Sequence, residues 1–144
     1  MMAWKLIGFS PVAHLVWHKR YLSKRRVVQY MHEQAFVLAK GYPPIPRYPF
    51  PDVLRWEYSG NGLHPTEKAV SVMKPLIRGF SKPSDIVLDP FCGSGSTLLA
   101  ARESGRRYIG VEKDSRVFEI LRARLDSAPE TSTGSGAETK REGA

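Results

Sequence analysis

The rhythm of apolar and polar positions changes several times along this chain. Residues 4–9 read as the end of a helix stopped near Gly8, and residues 12–18 as a strand. Residues 19–26 form a basic loop with one tyrosine inside it. The stretch 27–40 centres on Ala35-Phe36-Val37-Leu38-Ala39, which predicts a strand pairing with the first one as a hairpin. Five prolines crowd residues 43–51, so this segment reads as extended loop with few backbone donors. Residues 53–58 predict a short strand. Residues 65–80 predict a helix with His64 near its start and Gly79 near its end.

The next stretch is the most informative. Ile86-Val87-Leu88-Asp89-Pro90-Phe91-Cys92-Gly93-Ser94-Gly95-Ser96-Thr97 is a buried-strand run that opens into a glycine turn and then into the apolar-periodic segment 98–102. Strand, tight loop and helix start together make a cradle for a small polar ligand. Gly93 and Gly95 let the chain turn sharply and let a ligand come closer than a Cβ would permit. Ser94, Ser96 and Thr97 are candidates to cap the orphan N–H groups of the helix. A second strand, Arg107-Tyr108-Ile109-Gly110-Val111-Glu112, ends in an acid.

Two glycine-loop chemistries can be tested against this spacing. A triphosphate-binding loop needs Gly-Lys-Ser/Thr after a four-residue gap, and no lysine stands between Ile86 and Arg102. A dinucleotide loop needs a third small residue where Leu98 stands. Glu112, however, follows Gly95 at nearly the offset at which an acid accepts hydrogen bonds from a ribose diol. The combination points to a nucleoside without a pyrophosphate.

Composition narrows the setting. The length fits one domain, and 42% hydrophobic residues suffice for a modest core. A net charge of +8 favours a polyanionic partner. A single cysteine excludes an internal disulfide, and no apolar run approaches the roughly 20 residues of a membrane span. Nothing at the amino end reads as a targeting segment, so a cytoplasmic location is expected. His14, His18 and His32 fit no closed metal site. From Ser127 onward Ser, Thr, Gly and Glu dominate without apolar periodicity, so residues 127–144 read as a disordered tail behind a domain of residues 1–126.

Asp89-Pro90-Phe91-Cys92-Gly93-Ser94-Gly95-Ser96-Thr97, preceded by His64-Pro65-Thr66-Glu67-Lys68, resembles the cofactor half of the S-adenosylmethionine-dependent DNA amino-methyltransferases, which modify adenine N6 or cytosine N4. The order of the two motifs is similar to that of a circularly permuted branch of the family. The resemblance covers about residues 1–125 and includes the His-Glu-Gln-Ala segment at residues 32–35. It implies an α/β fold: a partial Rossmann-like methyltransferase sheet with flanking helices and a β-hairpin. It also implies S-adenosyl-L-methionine as cofactor, with Asp89 facing its cationic methionine end. The loop of Pro90, Phe91, Gly93, Ser94, Gly95 and Ser96 would lie against its polar groups, and Glu112 would hold the ribose. His64, Thr66 and Lys68 would close over the methionine moiety, with Thr66 and Lys68 as carboxylate partners. Ala69 departs from the pattern, which usually has a second proline there.

The resemblance also implies a DNA partner, with Arg20, Lys24, Arg25 and Arg26 as phosphate contacts. These enzymes carry an Asp/Asn/Ser-Pro-Pro-aromatic turn that accepts the protons of the target amine and stacks on a flipped base. The only Pro-Pro here is Tyr42-Pro43-Pro44-Ile45, which lacks the polar first residue and has its aromatic on the wrong side. No catalytic residue is therefore assigned. The chain reads as the C-terminal portion of such an enzyme, inactive alone and completed by a second chain or a homodimer. The alternative is a non-catalytic cofactor- or DNA-binding remnant or regulatory module.

Overall fold

The computed structural model describes residues 2–23, 27–46, 49–58 and 68–128. Helix α1 (Met2–Leu6) ends at Gly8, whose φ of +84° turns the chain into the long strand β1 (Phe9–Ser23). β1 pairs antiparallel with β2 (Tyr30–Lys40), from Phe9 opposite Lys40 to Ser23 opposite Tyr30. On its other side it pairs in parallel with β3 (Val53–Arg55). The predicted hairpin and short strand are therefore present, in the order β2-β1-β3.

The expected basic loop at residues 19–26 is corrected by this pairing. Residues 19–23 continue β1, and residues 24–26 lie outside the described residues. Side chains alternate along a strand, so Leu15, Trp17 and Lys19 all fall on the covered face and are buried. Burying an ammonium is costly unless it is paired. Lys19 meets that condition through Glu33 on β2. Arg20 points the opposite way and is exposed.

Helix α2 (Val70–Phe80) joins the two halves of the molecule. Near its start Val72 packs with Leu15 and Trp17. Near its end Ile77 packs with Ala100 and Ala101 of α3 (Ser96–Glu103). Pro75 lies inside the helix and leaves the Ser71 carbonyl without its i+4 N–H donor. Gly79 stands near the end of this helix, as expected. It lies inside the helix, and an added Cβ would stand 2.3 Å from a ring carbon of Phe50, so its role is to admit that ring.

The second sheet consists of β4 (Ile86–Asp89) and β5 (Arg107–Gly110), paired in parallel with Val87 beside Tyr108. One face, carrying Val87 and Tyr108, packs against α2 and α3. The other carries Ile86, Leu88, Ile109 and Val111, each more than half exposed. The 86–89 segment is thus covered on one side only, not on both as its continuous apolar run predicts. Helix α4 (Ser115–Ser127) follows β5. It was not anticipated, although Asp114 followed by apolar residues at 117, 121 and 125 is a legible helix start and stripe. Its Leu121 is buried with Cys92 and Leu98. Residues 129–144 lie outside the described residues.

Candidate cofactor site

The site is the turn between β4 and α3, together with the two residues that follow β5. Asp89 ends β4, and its Oδ1 accepts the Phe91 N–H at 3.1 Å, which folds the chain back after Pro90. Val111 N–H donates to the Asp89 carbonyl and Cys92 N–H to the Val111 carbonyl, both at 3.0 Å, so the strand ends stay zipped up to the turn. Gly93 and Gly95 have φ of +51° and +84°, in the region that side chains disfavour. At Gly95 a Cβ would also stand 2.0 Å from Leu121 Cδ1. α4 therefore packs directly on the bare turn.

Glu112 is fixed from both sides. Its Oε2 accepts the Gly93 N–H at 3.0 Å and its Oε1 the Asp114 N–H at 2.9 Å. Each carboxylate oxygen keeps a second lone pair for a further donor. Two of the loop N–H groups expected to face a ligand are engaged within the protein: Gly93 with Glu112, and Gly95 with the Cys92 carbonyl.

The serines do not cap α3. The N-cap is Gly95, without a side-chain cap bond. Ser96 is buried and its hydroxyl donates to the Lys68 carbonyl at 2.5 Å, which ties the segment before α2 to the turn. Arg124 of α4 donates to the Ser94 carbonyl at 3.0 Å and to the Ser96 hydroxyl at 3.3 Å. Asp114, the N-cap of α4, accepts from Arg116 and Val117. Arg124 and Asp114 are supporting residues that the motif alone did not reveal, since they act from α4.

Pro90 and Phe91 are exposed, Phe91 to 88%, at the rim of the turn. Cys92 is buried beneath it. Burial first, then the neighbouring Asp89 and Glu112 carboxylates, push its thiol pKa above the ordinary 9.0. It is held neutral, unlike a reactive thiolate. Among the described residues, no group of three His, Cys, Asp or Glu side chains could hold a metal ion. His14 instead stacks on Phe36 and meets the Gln34 side chain at 3.1 Å. No helix among the described residues is long and apolar enough to cross a membrane.

The turn thus gathers Asp89, Phe91, Gly93, Gly95, Glu112 and, through Ser96, the Lys68 backbone. His64, Thr66, Lys24, Arg25 and Arg26 lie outside the described residues. A parallel strand pair with a glycine turn at its carboxyl end and an acid after the next strand is the kind of place where open α/β sheets bind ligands.

Comparison with known proteins makes this specific. A family model described as DNA methylase matches residues 1–123, and the chain belongs to that family. It is 61% identical over 112 residues to the Escherichia coli (strain K12) methylase candidate YubD, covering 78% of this chain and 49% of that protein. It is 48% identical over 64 residues to the type II methyltransferase M.HindIII of Haemophilus influenzae, covering 44% of this chain and 21% of that one. The chain therefore spans about half the length of the E. coli relative. Among solved structures, the M1.HpyAVI–SAM complex superposes with a TM-score of 0.73 at 29% identity, over 86% of this chain and 66% of that one. The candidate DNA modification methylase TTHA0409 of Thermus thermophilus, complexed with S-adenosyl-L-methionine, gives 0.65 at 27% identity, over 84% of this chain and 55% of that one. The expected methyltransferase-like α/β fold is borne out.

Proposed function

We propose that this chain is the cofactor-binding portion of an S-adenosylmethionine-dependent DNA amino-methyltransferase acting on adenine N6 or cytosine N4. One observation carries the reading: Glu112 docks on the Gly93 N–H of a turn that Asp89 begins, in a chain of the DNA methylase family. The residues fit the group. The bare glycine turn admits close approach, Glu112 retains lone pairs for a ribose diol, and Lys68 offers an ammonium for a carboxylate. Bound there, S-adenosylmethionine supplies an electrophilic methyl on a sulfonium. Asp89 sets the negative field beside the methionine end, Phe91 provides an apolar surface at the rim, and Ser94 and Ser96 keep the turn in shape. His64 and Thr66 belong to the same proposal through their motif.

Calorimetry tests this directly. S-adenosylmethionine or its demethylated product should bind, and Asp89→Ala or Glu112→Ala should each weaken binding at least tenfold, about 1.4 kcal/mol. Unchanged affinity in both variants would remove the site.

The chain alone does not transfer methyl groups in this reading, since the Pro-Pro turn that serves the target amine has no counterpart in it. Tritium transfer to DNA should stay at background, and a robust signal would overturn that part. The uncovered apolar face of β4 and β5 supports completion of the unit by further elements, because parallel sheets are covered on both faces. A second chain supplying the missing catalytic half, or a second copy of this one, is the partner proposed. Sedimentation should then show self-association, or binding of the complementary half.

A further inference from the structure

We propose that Trp56 is a positioning residue that holds the Lys68 ammonium ready for the cofactor's carboxylate; this rests on the cofactor reading above. The Lys68 Nζ sits 5.0 Å from the centroid of the Trp56 ring, within the range at which a cation is attracted to an indole face. Lys68 is exposed and has no carboxylate at ion-pair distance among the described residues. Its backbone is fixed independently by the Ser96 hydroxyl on its carbonyl. One contact thus locates the main chain of Lys68 against the glycine turn, and the other restrains its side chain.

Trp56 is itself firmly placed. Its backbone N–H donates to the His18 carbonyl at 2.9 Å, which continues the β1–β3 ladder beyond Arg55. Its ring packs with Leu15, Trp17 and Val72, the same cluster that holds Ala69, the residue after Lys68. A second ammonium, Lys19 Nζ, lies 5.5 Å from the ring. The two cations differ in one decisive respect: Lys19 is buried and neutralised by Glu33, while Lys68 faces solvent with no such partner among the described residues. A mobile lysine side chain must give up its rotamer freedom when it grips an anion, and restraint beforehand lowers that cost. Trp56 supplies the restraint without neutralising the charge, which a carboxylate would do.

The test compares two ligands on the full chain: S-adenosylhomocysteine, which carries the amino-acid carboxylate, and methylthioadenosine, which lacks it. Trp56→Leu should weaken S-adenosylhomocysteine about two- to fivefold and leave methylthioadenosine unchanged. Trp56→Phe should fall between wild type and Trp56→Leu, and it carries the test if the leucine variant does not fold. Added to Lys68→Ala, either change should cost nothing further. Equal loss for both ligands would reduce Trp56 to a packing residue and overturn the proposal, as would no loss for either. Failure of the unaltered chain to bind either nucleoside would instead overturn the cofactor reading, and this inference with it.

Discussion

Gly41 and Gly95 share a left-handed backbone but not an environment. Gly41 follows β2 with φ of +69°, and nothing lies within 4 Å of where its Cβ would stand. Gly95, with φ of +84°, has Leu121 at 2.0 Å from that point. In the hairpin region glycine serves only to turn the chain. In the turn between β4 and α3 it also removes bulk so that α4 can seat against the loop. The same contrast runs through the two sheets. The β1–β2 sheet is specified by strand register and side-chain alternation, whereas β4–β5 is held by bonds around one loop and by helices packed on one face.

The largest break should come from Leu121→Ala. This side chain is buried and fills the gap that Gly95 leaves, so stability should fall by about 2–5 kcal/mol in urea unfolding. A loss under about half a kcal/mol, far below the range for a buried leucine, would mean that α4 does not seat there.

Gly95→Ala belongs in the same range. Left-handed strain of about 1–2 kcal/mol adds to an overpacking cost of about 1–3 kcal/mol, and cofactor binding should fail with it. Gly41→Ala should show the strain alone, about 1–2 kcal/mol. Equal losses at the two glycines would erase the distinction drawn between them.

A finer comparison uses pH. The raised Cys92 pKa means that the folded thiol stays protonated where an unfolded one would ionise. Its contribution to stability is complete below the ordinary value of 9.0 and is lost as pH rises from there through the raised value. Unfolding measured from about pH 8 to about pH 10.5, a span that brackets thiol ionisation, should show a decline that Cys92→Ala flattens. An identical slope in the variant would mean that neither burial nor the neighbouring Asp89 and Glu112 carboxylates shift the thiol.

The smallest effect concerns the hairpin sheet. Arg20 is exposed on β1 and is the described member of the proposed phosphate-contact set. If the chain binds DNA through it, Arg20→Ala should weaken binding evenly across sequences and lower the salt slope by about 1. An unchanged slope would move the DNA contact elsewhere.

Much of this was legible from residue order. The glycine turn, the acid after the second strand, the hairpin and the helix before the turn depend on local backbone preference and apolar rhythm, which neighbouring residues carry. The side of β1 on which Lys19 lies was not legible, because a basic run looks alike whether or not a carboxylate on another strand awaits one member of it. The duties of Ser94 and Ser96 were hidden for a related reason. A serine beside a helix start suits a cap, but the Ser96 hydroxyl is taken up by the Lys68 carbonyl and by Arg124, which reach this turn from elements distant in sequence, and Arg124 also holds the Ser94 main-chain carbonyl.

The sequence by itself therefore determined the family, and it placed the candidate site on the chain with the residue types proposed for it, since these rest on motif order and short-range geometry. Tertiary structure alone decided which polar groups are engaged within the protein, how Glu112 is aimed, and which face of β4–β5 stays bare. Those outcomes depend on contacts such as Gly93 with Glu112, 19 positions apart, and Ser94 with Arg124, 30 apart, whose desolvation and pairing no local window contains.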